Sequence, residues 1–308
     1  MIPFLIVIPT YKRCDLLDRT LRSLAECCLP PNLVKVIVAE NGIKSGADLL
    51  VKKYDDRLPL TYQYTEKPNK SNALNEILRK TGNEFIIFFD DDVRVHPDIL
   101  LNYAKEVGDR ENGFFLCGRI HVDWEEHPIE WLVDYLPSSV TGWHFNDEKC
   151  EMRVPKGVGS NWGAFAIDMR EAGGFDERRG PGSGARGQEA DMMERLLNRN
   201  IVGYYLPECK VWHFVPKTEC SPEWTLSRTF EWGVGIGIRN ARVSFPVRAK
   251  RIVVRRIKLL GIQILIGLVG KRLDSKRRFH YEYLKNLYSG ILRGLKGTRA
   301  GQSIIQEP

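Results

Sequence analysis

Residues 84–93 read EFIIFFDDDV. The apolar run Ile86, Ile87, Phe88, Phe89 suits a buried strand, and it stops at three carboxylates, Asp90, Asp91 and Asp92. A buried strand that ends in three acids is costly unless positive charge waits there. Side chains alternate along an extended chain, so Asp90 and Asp92 face one way and Asp91 the other. Two oxygen ligands at the carboxyl end of a parallel strand suit Mg²⁺ or Mn²⁺ carrying a phosphate. On its own the same run equally describes an acidic surface turn, so the rest of the chain has to decide.

The segments before it alternate. Residues 4–8 (FLIVI) predict a first strand, stopped at Pro9-Thr10, and PTYKR opens a helix through LLDRTLRSL. VKVIV (34–38) predicts a second strand ending in the turn signal Glu40-Asn41-Gly42. A helix over about 45–54 follows, then a strand at 60–64 and a helix headed by Lys70-Ser71-Asn72-Ala73-Leu74-Asn75. Strand–helix alternation is what a parallel, doubly wound α/β sheet requires. Ligands of such sheets bind beyond the carboxyl ends of the strands. That rule gathers Thr10, Tyr11, Arg13, Glu40 and Asp90, Asp91, Asp92 at one edge. A dehydrogenase would need GxGxxG after the first strand, where this chain has PTYKRC; a P-loop is absent too.

Further on, 98–107 reads as a helix and 114–122 as a strand, while 124–156 lacks periodicity. Gly157, Gly159 and Gly163 allow close backbone approach, and Trp162 offers a flat face. GPGSGARG (180–187) reads as a mobile loop. Gln188-Glu189-Ala190-Asp191 then starts a helix over 189–199, with its acids in the first turn, where they suit the helix dipole. Strands are expected at 201–206 and 210–215, the latter carrying His213, a lone histidine in an apolar setting that core packing alone would explain.

The charge is unevenly spread. Residues 239–299 hold 17 Lys or Arg against Asp274 and Glu282, whereas the chain before them is net acidic. Within this part the charge-free stretch 259–270 is 12 residues, against roughly 20 for a bilayer span. A basic flank feeding a short apolar stretch suits a helix lying on an anionic membrane surface, or a core helix beside a basic neighbour. The long apolar core and the acidic body argue against nucleic acid as a partner. Seven scattered cysteines without a CxxC pair fit a reducing compartment. The amino terminus reads as a first strand rather than a signal peptide. Together these point to a cytoplasmic protein, peripheral on the membrane if the basic segment docks. The natural division is a catalytic domain over 1–222 and a basic, partly apolar helical extension over 223–308.

In order and spacing, PTYKR, KSNALN, FFDDD, GGFDE, the acidic helix start and VWH resemble a family 2 glycosyltransferase of the GT-A fold, over about residues 3–215. The resemblance implies a mostly parallel sheet flanked by helices. It also implies metal-dependent transfer of a sugar from a nucleoside-diphosphate sugar, a UDP-sugar foremost, to an acceptor hydroxyl. Inversion at the anomeric carbon is implied, as is a place in polysaccharide or glycolipid biosynthesis with a sugar or lipid-linked saccharide as acceptor. It assigns Asp92 and His213 to a Mn²⁺ or Mg²⁺ ion. Pro9, Thr10, Tyr11, Arg13, Glu40, Lys70, Asn75, Asp90, Asp91 and Trp162 go to the nucleotide sugar. Glu189, in the second position of the family's ED pair, is the general base, with Asp191 as the alternative. Two rival readings are a sugar nucleotidyltransferase, which would want a glycine-rich basic loop after the first strand, and a degenerate sugar-binding scaffold, which would have lost acids that are present here.

Overall fold

The computed structural model describes residues 2–155, 157 and 159–297. They form two compact units. The first takes in the residues up to Asp123, Ser138–Glu177 and Gln188–Phe214; the second takes Trp124–Pro137, Arg178–Gly187 and the described residues from Val215 onward. A single cut at 222 is what the sequence suggests. The chain instead lends two earlier segments to the second unit, because aromatic side chains in one and an arginine in the other find their partners there.

The first unit begins with the expected alternation: β1 (Phe4–Thr10), α1 (Cys14–Ala25), β2 (Leu33–Asn41), α2 (Ala47–Tyr54), β3 (Leu60–Thr65), α3 (Lys70–Lys80) and β4 (Phe85–Phe89). These four strands pair in parallel in the order β3-β2-β1-β4, with Ile6 aligned to Val36 on one side and Ile87 on the other. All of β1 and β4 is buried, as a strand covered on both faces must be. Each large apolar side chain so buried contributes about 1.5–3 kcal/mol.

Beyond β4 the sheet turns antiparallel. β5 (Val93–Val95), α4 (Ile99–Val107), β6 (Phe114–Trp124), α5 (Ser138–Thr141), β7 (Cys150–Met152), β8 (Asn161–Phe165), α6 (Ala166–Glu171), α7 (Gln188–Leu197) and β9 (Val202–Val215) complete the unit's elements. The order continues β8-β6-β9-β5, with β7 on β9. The two strands expected at 201–206 and 210–215 are one strand. Pro207, which cannot donate to a ladder, lies between the residues that pair with β7 (203–205) and those that pair with β5 (211–213). Two hydroxyls of α1 hold β5 in place: Thr20 donates to the Val93 carbonyl at 2.8 Å, and Ser23 Oγ accepts the Val95 N–H at 3.1 Å.

In the second unit α8 (Pro222–Asn240), α9 (Phe245–Val269) and α10 (Ser275–Lys296) form a helical assembly. Ser221 caps α8 by accepting the Trp224 N–H, and Pro222 occupies the first turn, where no donor is lost. Helical spacing fades in the sequence after Trp232, yet α8 runs to Asn240. Glycines on both helices let α8 and α10 approach: a Cβ at Gly233 of α8 would lie 2.5 Å from the Leu287 carbonyl oxygen, and one at Gly290 of α10 would lie 2.1 Å from the Phe230 carbonyl oxygen. Phe279 of α10 packs edge-on to Trp131 and Tyr135 of the lent segment 124–137. The 178–187 segment, expected to be mobile, is closed on itself. Gly180 N–H donates to the Ala185 carbonyl at 2.7 Å, and Arg186 pairs with Glu231 at 2.6 Å. No helix among the described residues is long and apolar enough to cross a membrane.

Candidate active site

The three acids follow β4, which ends at Phe89, with Asp91 and Asp92 in a turn, and their side chains diverge. Asp91 turns toward the end of β1, where Thr10 Oγ1 donates to it at 2.7 Å and Arg13 lies 3.5 Å away. Asp90 and Asp92 turn the other way. β5 leaves the turn to pair antiparallel with β9, setting Val93 opposite His213. The Phe214 N–H donates to the Asp92 carbonyl at 2.8 Å. This pairing brings the last acid of one strand to a histidine far along the chain. Ligand atoms of Asp90, Asp92 and His213 all lie within 4.8 Å of one another.

The electrostatics divide the acids too. Burial, and then the neighbouring Asp92 charge, push the Asp91 carboxyl up to about 7 against the pull of Arg13 and Thr10. Burial also works against the charged form of Asp92, but His213 and Arg13 outweigh it and hold that carboxyl below its ordinary range. Arg13 meets Asp92 Oδ2 at 2.8 Å. The other oxygen, Oδ1, is buried, accepts no hydrogen bond among the described residues, and stands 3.1 Å from His213 Nε2. Two carboxylates and an imidazole are a donor set that suits a divalent cation, and this oxygen has a use for one.

Lys70 ties this cluster to α7. It opens α3, whose N-cap Asn69 accepts the Asn72 N–H. A cation at a helix N-terminus opposes the helix dipole, so the acids must hold it there. Its Nζ lies 2.6 Å from Asp90 and 3.1 Å from Glu189. Burial alone would lower the Lys70 ammonium; the two carboxylates override it and hold it above its ordinary value. Gln188 donates to the same Glu189 oxygen at 2.6 Å. Gly159 faces that carboxylate, and a Cβ there would come within 2.3 Å of it.

Several expected site residues face elsewhere. Trp162 is 1% exposed and stacks on Phe88 at 4.9 Å, because the β4–β8 pairing sets the two side by side. Its ring offers no face to a sugar. Asp191 is fully buried and paired with Arg195 at 3.0 Å, one turn along its own helix. Asn75 exchanges two hydrogen bonds with the Phe175 backbone, at 2.9 and 2.7 Å, and so holds the GGFDE turn rather than a nucleotide. Glu40 is fully buried; Ser45 takes one oxygen through N–H and hydroxyl, and Tyr62 takes the other. It secures the turn after β2. Pro9 is buried within β1 opposite Ala39. Tyr11, by contrast, is 42% exposed at the end of β1.

One acid passed over in the sequence is Glu177. It accepts from Lys67 at 2.5 Å and from Asn72 at 3.2 Å, and Asn75 lies 3.5 Å away. Hydrogen bonds, that from Lys67 foremost, hold its carboxyl below the ordinary range despite burial. Its signal was its place as the last acid of GGFDE. It fastens α3, and so Lys70, to the turn that precedes the second acidic cluster.

A family model described as Glycosyl transferase family 2 matches residues 5–172. Succinoglycan biosynthesis protein ExoM of Rhizobium meliloti (strain 1021) is 26% identical over 305 residues, covering 94% of this chain and 92% of that protein. Validoxylamine A glucosyltransferase of Streptomyces hygroscopicus subsp. limoneus is 34% identical over 94 residues, 30% of this chain and 21% of that protein. Among solved structures, the mannosyltransferase PcManGT of Pyrobaculum calidifontis, in complex with GDP-Man and Mn²⁺, aligns over 94% of this chain and 87% of that one, with TM-score 0.58 and 15% identity. S. aureus TarS 1–349 in complex with UDP-GlcNAc aligns over 94% and 90%, with TM-score 0.54 and 16% identity. These structural likenesses support the GT-A fold.

Proposed function

This chain belongs to glycosyl transferase family 2, and from that premise we propose that it moves a sugar from a nucleoside-diphosphate sugar, a UDP-sugar foremost, to a saccharide hydroxyl, free or lipid-linked, with inversion and with Mn²⁺ or Mg²⁺. The likeness along nearly the whole chain to a succinoglycan biosynthesis protein supports polysaccharide assembly as the setting. The observation that carries the reading is the cluster of Asp90, Asp92 and His213, joined through Lys70 to Glu189.

Asp92 and His213 would hold the metal, with Asp90 in reach; when bound it supplies Lewis-acid neutralisation of the diphosphate charge. Tyr11, exposed at the end of β1, presents its ring to the base. Arg13 and Lys70 add positive charge where the diphosphate leaves. The acceptor oxygen attacks the anomeric carbon as the bond to the diphosphate oxygen breaks, and its proton passes to Glu189. A carboxylate so placed contributes typically ~10²–10⁴-fold in rate. The near approach of Gly159 and the hydrogen bond from Gln188 fix the orientation of that carboxylate. Asp191 keeps the helix start rigid through Arg195.

Calorimetry of UDP, GDP and dTDP with and without Mn²⁺ tests the reading. One diphosphate should bind only with metal, and Asp92→Asn and His213→Ala should each abolish that dependence. Equal affinity with and without metal, in wild type and both variants, would overturn the metal assignment.

A further inference from the structure

α9 is turned inside out. None of its 25 residues is buried. Along it Val253, Ile257, Leu260, Ile264 and Leu268 are each between 53% and 74% exposed. Their spacing (four, three, four, four) keeps them on one stripe, within about 80° of arc and ~22 Å long at the helical repeat. Four basic side chains occupy the other side. Arg248 Nε donates to the Leu295 carbonyl at 2.6 Å and Arg251 to the Asn240 carbonyl at 2.8 Å. Arg255 and Lys258 lie over the Tyr288 ring of α10, at 5.7 and 5.8 Å. These contacts fix the roll of the helix and leave the aliphatic stripe facing away from α10. Lys250 and Arg256 are exposed beside it.

Five large aliphatics in line on a surface are uncommon unless something covers them. The charge identifies the covering. Residues 241–273 hold nine Lys or Arg and no Asp or Glu. A second copy of the chain would bring this same acid-free segment against itself. An anionic lipid surface accepts both features, the aliphatics in its interface and the cations among its headgroups. With 25 residues the helix is long enough to span a bilayer but, carrying its basic residues, not apolar enough to cross one, so on a membrane it lies flat. We propose that α9 docks this protein on anionic bilayers through the stripe Val253, Ile257, Leu260, Ile264 and Leu268, with Lys250 and Arg256 on lipid phosphates. The inference stands on the second unit alone and does not depend on the transfer reaction.

The test is co-sedimentation of the full chain with phosphatidylglycerol-rich vesicles and with pure phosphatidylcholine vesicles. Wild type should bind the anionic vesicles only, less so at high salt. Ile257→Asp with Ile264→Asp, both at exposed positions, should weaken binding about 10-fold or more, while circular dichroism and nucleotide calorimetry stay as in wild type. Unchanged vesicle binding by the double variant, or no binding by wild type, overturns the proposal. If vesicles are ignored and the double variant instead splits a wild-type dimer, the stripe is covered by a second copy.

Discussion

Asp90 and Asp92 after β4, and Glu189 and Asp191 at the start of α7, are both pairs of acids two residues apart, and the two pairs behave oppositely. The first pair sits where the chain turns from β4 into β5, and the pairing of β5 with β9 brings Asp90 and Asp92 into one cluster with His213. On a helix, two residues is about 200° of turn. Glu189 therefore meets Lys70 at 3.1 Å while Asp191 points inward to Arg195 at 3.0 Å. One stretch of backbone gathers two acids into one cluster; the other sends one acid to Lys70 and the other to Arg195. Asp91, between the two, turns instead to Thr10, while Arg13 reaches both Asp91 and Asp92.

The sharpest way to break this comparison is kinetic. Glu189→Gln should cut sugar transfer by ~10²–10⁴ and leave diphosphate binding nearly unchanged, measured by initial rates beside calorimetry. Should Glu189→Gln stay active and Asp191→Asn fail at equal stability, the two acids would have to exchange roles. Next in size is the stability of Asp191→Asn. Arg195 is only partly shielded, so removing its partner should cost about 1–3 kcal/mol in urea unfolding, below the figure for a fully buried pair. Transfer by the folded fraction should stay near wild type. The smallest effect concerns β8. Trp162→Phe, in register with Phe88, should lose about 1–2 kcal/mol with no change in donor affinity. A weakened donor affinity would return Trp162 to the sugar site.

Much of the site was legible because its signals are local. The aspartates at a strand end, Lys70 at a helix head, the acidic start of α7 and the late histidine were all visible as residue type against predicted backbone. What was missed depends on contacts between distant segments. Glu40 looks like a nucleotide ligand until Ser45 and Tyr62 take both its oxygens. Asn75 looks like one until the GGFDE turn folds back onto it. Trp162 reads as a platform beside glycines, but the antiparallel step from β4 to β8 closes it into the core. Glu177 was passed over because its three donors belong to a helix and a loop far upstream.

By itself the sequence determined the alternation of β1 to β4, the acids that follow β4, the acidic start of α7 and the basic, weakly apolar tail. Each follows from hydrophobic period and from signals at element ends, which act over a few residues. Only the tertiary structure decided that β5 would pair with β9 and so set His213 beside Asp92. It also decided that Glu189 rather than Asp191 would meet Lys70, and that α9 would turn its aliphatics outward. Those outcomes depend on strand pairing and on the roll of packed helices. Both are set by many contacts across the chain, and no local period encodes them.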